Sequence, residues 1–127
     1  MDAKLLNGGT LAFVGDAVMT LQIREYLVSK GVTNLKELQE KTSAVVSAKA
    51  QAAFGFEIEP ILTEEELAIF KRGRNHKSTS TAKNQHLIDY RHATAVEALW
   101  GYWYLNKEEE RLEEMRKKLI AFSEDNE

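Results

Sequence analysis

Two stretches of this chain are apolar on nearly every side of a helix, which leaves little room for any architecture other than a helical one. In residues 10–30, Leu11, Val14, Val18 and Leu21 form a stripe at helical spacing, while Phe13, Ala17, Ile23 and Leu27 cover much of the remaining circumference. Residues 85–105 are comparably apolar. A helix with no clear polar face belongs in the middle of a fold rather than on its surface. One proline, Pro60, and seven glycines in 127 residues give little punctuation for a strand-rich chain, and no alternating pattern competes. The expectation is an all-α fold, a helical bundle with two central apolar helices. The length fits one domain spanning residues 1–127.

Capping chemistry sets the expected boundaries. Thr10 is read as the N-cap of the first long helix and Gly31 as its stop. Asn34 with Glu37 opens a short helix near 35–41, and Ser43 opens an alanine-rich one to about Phe54. Gly55 to Leu62, around Pro60, reads as a connector. Thr63 and Glu66 form the clearest capping box, starting a helix that runs to about Arg72. Residues 73–83 read as a polar loop, and a charged amphipathic helix over about 107–122 follows the second apolar helix.

Composition removes several chemistries at once. With no cysteine, disulfide scaffolds, zinc fingers and thiol nucleophiles are excluded. No apolar run is long enough to span a membrane, and Met1-Asp2-Ala3-Lys4 begins no secretory signal, so a cytoplasmic location and no membrane partner are expected. The net charge of −3 argues against nucleic acid only on average. Residues 71–92 hold six of the seventeen basic residues against one acid, whereas the tail from Lys107 carries eight acids and five bases. Arg72, Arg74, Asn75, Lys77, Ser78 and Lys83 bring guanidinium, ammonium, amide and hydroxyl donors into one stretch, which is the chemistry of phosphate contacts. His76, His86 and His92 do not repeat at metal-ligand spacing and read as surface or phosphate-side residues.

Asp16 and Glu97 stand in the most apolar parts of the two long helices. Ionised carboxylates are rarely buried unless paired or bound to metal. Singly, each is most simply a salt-bridge or capping residue. Together on two central helices they point to oxygen ligands for a hard cation, Mg²⁺ or Mn²⁺. Gly15, beside Asp16, costs a helix roughly 1 kcal/mol against alanine, and close approach by a neighbouring backbone would give it a reason.

The segment Leu11-Ala12-Phe13-Val14-Gly15-Asp16-Ala17-Val18 resembles the signature helix of ribonuclease III catalytic domains, and Thr94-Ala95-Val96-Glu97-Ala98-Leu99-Trp100-Gly101 resembles their second acidic motif. Arg72-Gly73-Arg74-Asn75, Lys77-Ser78, Lys83-Asn84, Tyr90-Arg91 and Val46-Ser47-Ala48-Lys49-Ala50-Gln51 are similar to one branch, Mini-III, a stand-alone ribonuclease III domain without a double-stranded RNA-binding domain. The resemblance runs from Leu11 to about Leu105.

It implies that Asp16 and Glu97 are both metal ligands and catalytic residues. It also implies Mg²⁺-dependent hydrolysis of double-stranded RNA, leaving 5′-phosphate and 3′-hydroxyl ends. A homodimer placing one site on each strand follows, with the signature helix forming much of the interface. The implied substrate is the precursor of 23S ribosomal RNA, with a ribosomal protein as possible helper. Gly9, Ala12 and Thr94 stand where ribonuclease III proper places further acids, so a thinner acidic cluster is expected. The competing readings are a non-catalytic helical RNA-binding or ribosome-assembly protein and an all-α nucleotide pyrophosphohydrolase. Retention of both Asp16 and Glu97 argues against the first. Against the second, Glu64-Glu65-Glu66 is a helix start rather than an acidic cluster.

Overall fold

The structure, a computed structural model, describes residues 1–76 and 85–126, and these form six α-helices and two short 3-10 turns with no strand. The first helix, α1, spans Gly8–Ser29. Its cap is Asn7 rather than Thr10. The Asn7 side chain accepts from the Thr10 backbone N–H at 2.8 Å, so the helix starts two residues before the expected cap. At the other end Gly31 takes φ 90°, Val32 N–H returns to the Leu27 carbonyl and Gly31 N–H to the Val28 carbonyl. That is the glycine stop expected from the sequence.

Helix α2 spans Leu35–Val46 and α3 spans Ala48–Ile58. Asn34 caps α2, accepting from Glu37 N–H at 3.0 Å. The division between the two falls at Ser47, not at Ser43. Ser47 leaves helical geometry (φ −61°, ψ 156°) and accepts from Ala50 N–H, while Ser43 lies inside α2 and its carbonyl takes the Ser47 N–H. Two serines four residues apart offer the same capping chemistry, so local sequence does not choose between them. Helix α3 also runs through part of the expected connector, because Phe54 and Ile58 face the core. Pro60 then sits in a 3-10 turn, Glu59–Ile61, where its missing N–H is not needed.

Helix α4 spans Glu64–Arg74, α5 spans Gln85–Leu105 and α6 spans Glu109–Asp125. The Thr63–Glu66 capping box is present in both directions. Glu66 does more than cap. Its buried carboxylate accepts from Thr63 N–H (3.0 Å), Trp103 Nε1 (2.9 Å) and both Nε and Nη2 of Arg111 (2.8 Å each). Burial pushes this acid toward its protonated form, but the four donors hold it below the usual carboxylate range.

Helix α5 runs through the middle, packed against α1, α3 and α4. Trp100, Tyr102 and Trp103 are core residues, while Tyr104 is exposed. Helix α1 divides differently from the expected stripe. Leu11, Ala12, Gly15, Met19, Ile23 and Leu27 face inward, at steps of three and four residues, whereas Phe13 and Leu21 are 81% and 58% exposed. Where α1 and α5 cross, the helices touch through backbone. A Cβ on Gly15 would land on the Glu97 carbonyl oxygen, and one on Gly101 on the Leu11 carbonyl oxygen. The close approach anticipated at Gly15 is therefore present. Among the described residues no helix is long and apolar enough to cross a membrane.

Candidate active site

The glycine crossing determines where the two unusual carboxylates meet. Asp16 follows Gly15 on α1, and Gly15 rests on the backbone of Glu97 on α5, so the two side chains emerge together from one point of contact. Asp16 is exposed and Glu97 half-buried. The apolar neighbours of Asp16 in sequence do not bury it, because Phe13 and Ala17 share its outward side of α1. Burial pushes the Glu97 carboxyl up to about 8, helped by a hydrogen bond to Asp16 and by the Asp16 charge. Gln51 acts the other way, donating from Nε2 to Glu97 Oε2 at 3.4 Å.

This donor set fits a hard divalent cation. Two carboxylates converge, one exposed and one half-buried, and burial together with the first pushes the second up. Beside them lies a buried amide oxygen, Gln51 Oε1, with no hydrogen-bond partner among the described residues. Such a set is all oxygen, which is what Mg²⁺ and Mn²⁺ take. No group of three or more His, Asp or Glu side chains converges among the described residues.

The three positions that lack family acids are packed. The His76 ring fills the space a side chain at Gly9 would occupy, with Nε2 at 2.8 Å from where a Cβ would stand. Ala12 is buried, and the buried Thr94 donates its hydroxyl to the Tyr90 carbonyl at 2.8 Å. His76 is thus a packing residue against α1, and His92 stacks on Phe56 at 4.2 Å; neither stands free toward solvent as expected, whereas His86 does.

The expected phosphate-binding stretch is only partly described. Arg72 donates from Nη1 to the carbonyls of Lys4 (2.6 Å) and Leu6 (2.9 Å), tying the N-terminal segment to α4. Arg74 and Asn75 end α4, with Arg74 Nε reaching Asn75 Oδ1 at 3.4 Å. Lys77, Ser78 and Lys83 lie outside the described residues.

Residues 9–108 match the ribonuclease III domain. Most of the chain is 48% identical to the Mini-ribonuclease 3 of Brevibacillus brevis, over 97% of this chain and 92% of that protein. The chain belongs to the Mini-ribonuclease 3 family of ribonuclease III domains. The Mini-ribonuclease 3 of Clostridium tetani is 47% identical over 98% of this chain and 83% of its own length. A crystal structure of a Fusobacterium nucleatum protein, 35% identical, superposes with a TM-score of 0.83 over 94% of this chain and 96% of that one. Membership makes the chain an endoribonuclease, and its ribonuclease III domain implies a double-stranded RNA substrate.

Within this ribonuclease III domain, Gln51 is the residue whose part the sequence left unread. It lies in the motif Val46–Gln51, but neither periodicity nor charge marks a glutamine as part of a carboxylate site. The two arginines are expected to separate in their effects. Arg72→Ala is expected to lower stability by about 1 kcal/mol, since two backbone carbonyls lose a charged donor. Arg74→Ala should leave the melting temperature unchanged. It should also lower the slope of log affinity for duplex RNA against log salt by about 0.9 for each phosphate the side chain neutralises. Thermal melts and a salt series of gel shifts read both; identical melts for the two variants would deny Arg72 its structural role.

Proposed function

We propose that the chain hydrolyses phosphodiester bonds of double-stranded RNA with Mg²⁺, or Mn²⁺, held by Asp16 and Glu97, leaving 5′-phosphate and 3′-hydroxyl ends. The supporting observation is the meeting of these two carboxylates at the Gly15–Gly101 crossing, beside an unpaired amide oxygen. When bound, the cation supplies an acidified water for attack and neutralises charge developing on the phosphate. The protein's own groups do the rest. Asp16, open to solvent, would be one carboxylate ligand of the cation. Burial and Asp16 push the Glu97 carboxyl above the usual carboxylate range, and a bound cation would favour its charged, ligating form. Arg74, Asn75, Lys77, Ser78 and Lys83 contact phosphates and seat an A-form duplex by shape rather than by base edges. Arg72 is read with them as an RNA contact, its guanidinium also holding the Lys4 and Leu6 carbonyls.

A duplex presents two strands and residues 1–127 act as one catalytic domain with one site, so the reading includes a two-fold homodimer. Phe13, Ala17 and Leu21 form an exposed stripe at four-residue spacing along α1, on the same side as Asp16. Phe13→Glu is expected to convert the dimer to monomer in light scattering and to depress double-strand cleavage. An unchanged mass would remove α1 from the interface. The physiological duplex is read as the 23S ribosomal RNA precursor in the cytoplasm, assisted by a ribosomal protein, on the strength of membership in the Mini-ribonuclease 3 branch. The direct test incubates the protein with long duplex RNA, single-stranded RNA and nucleoside triphosphates, each with Mg²⁺ and with EDTA. Cleavage of the duplex alone, abolished by EDTA, is the expected result. Metal-independent binding without cleavage would leave a non-catalytic RNA-binding protein, and triphosphate hydrolysis would make it a pyrophosphohydrolase.

A further inference from the structure

Gln51 is 2% exposed, yet it carries four hydrogen-bonding positions, and the structure fills them unevenly. Its Nε2 donates to the Val46 carbonyl at 2.8 Å, at the end of α2, and leans on Glu97 Oε2 at 3.4 Å. The Val46 carbonyl is available because Ser47 breaks the helix there. That bond fixes the orientation of the amide: nitrogen on Val46 and Glu97, oxygen free. Gln51 Oε1 is fully buried and is the unpaired side-chain polar atom among the buried atoms of the described residues. A buried acceptor without a donor costs about 1–3 kcal/mol. An apolar side chain of similar length would avoid that cost but leave the Val46 carbonyl without its side-chain donor.

We propose that Gln51 is a positioning residue of the metal site, holding Glu97 through Nε2 and offering Oε1 as an acceptor to the hydration shell of the bound cation. This rests on the proposed metal reading above and deepens it. Mg²⁺ sheds water reluctantly and is commonly bound through one or two carboxylates with several waters retained. A site with only two carboxylates therefore needs outer acceptors to orient those waters. Residues in that outer role typically set metal affinity by about 10- to 100-fold. Gln51 has the burial and the free oxygen, on an amide whose nitrogen touches Glu97.

The experiment titrates Mn²⁺ alone into the metal-free protein, following the free Mn²⁺ signal by electron paramagnetic resonance, for wild type, Asp16→Asn, Gln51→Met and Gln51→Glu. Wild type is expected to bind and Asp16→Asn to bind much more weakly. Gln51→Met should bind about 10- to 100-fold more weakly, with duplex RNA affinity in EDTA unchanged and a cooperative melt showing that it is folded. Gln51→Glu, which keeps an oxygen at the same reach but loses the Nε2 donor, should recover binding in part. In cleavage assays Gln51→Met should need correspondingly more Mg²⁺ for half-maximal rate while approaching wild-type kcat at saturation. Wild-type Mn²⁺ affinity in Gln51→Met overturns the proposal and leaves the metal site standing. Equal or absent Mn²⁺ binding in wild type and Asp16→Asn overturns both. Weak binding in Gln51→Met that Gln51→Glu fails to recover reduces Gln51 to a packing residue and overturns the proposal.

Discussion

Glu97→Gln is expected to abolish duplex RNA cleavage and, at the same time, to stabilise the metal-free protein at alkaline pH. The first effect follows from losing a charged ligand. Metal assistance is worth several kcal/mol of transition-state stabilisation, and at about 1.4 kcal/mol per decade the loss is on the order of a thousandfold or more. The second follows from linkage. Burial and Asp16 raise the folded-state value for Glu97 from 4.5 to about 8, so the folded chain keeps a proton that the unfolded chain has released. The stability this proton carries is fully present below pH 4.5 and falls as pH rises through about 8. Glutamine, neutral throughout, removes that slope. Melting curves of metal-free wild type and variant should coincide in shape near pH 4 and diverge toward pH 8, the variant melting higher, by about 4 °C per kcal/mol for a domain of this size. Adding Mg²⁺ should raise the wild type selectively at pH 8. Parallel pH profiles would mean that Glu97 titrates as an ordinary surface acid, and undiminished cleavage would remove it from the site.

The largest loss of stability is expected from the smallest substitution, Gly15→Ala. Helix propensity by itself makes this change favourable by about 1 kcal/mol. The structure reverses the sign. The added methyl would stand on the Glu97 carbonyl oxygen, and its next neighbour is the Gly101 amide nitrogen, so nothing flexible can move aside. Helices α1 and α5 must separate, at a cost of about 3 kcal/mol or more. Against a total of about 5–15 kcal/mol that is a large fraction, equivalent to a fall of roughly 10 °C or more. The same separation pulls Asp16 away from Glu97, so residual folded protein should bind Mn²⁺ weakly and cleave slowly. Gly31→Ala makes the contrast. At φ 90°, with nothing within 4 Å of its would-be Cβ, it carries only backbone strain, worth about 1 kcal/mol. Differential scanning calorimetry of the two variants decides the matter, and a Gly15→Ala protein as stable as wild type would contradict the backbone-to-backbone crossing.

The sequence by itself determined the features that depend on local chemistry. Six helices, the Gly31 stop, the Asn34 cap and the Thr63–Glu66 box all involve groups within a few residues of one another, and periodicity reads the rest. The two site carboxylates were legible because each breaks an apolar run, and Gly15 because a glycine inside a helix needs a reason. What sits opposite a residue was not legible. Thr10 gave way to Asn7 and Ser43 to Ser47, since neighbouring positions carry equivalent capping groups and packing selects one. The apolar run around Asp16 hid its exposure, because hydrophobicity along a chain does not say which side of the helix meets α5. Glu66 showed its cap but not its bonds to Trp103 and Arg111, and Arg72 showed its charge but not the Lys4 and Leu6 carbonyls it holds. Gln51 stood in a recognisable segment, but nothing in that segment marked it as a neighbour of the carboxylates. Its place beside Glu97 exists only once a serine has broken α2 from α3 and two glycines have let α1 and α5 touch, and those are agreements between distant parts of the chain that no local pattern records.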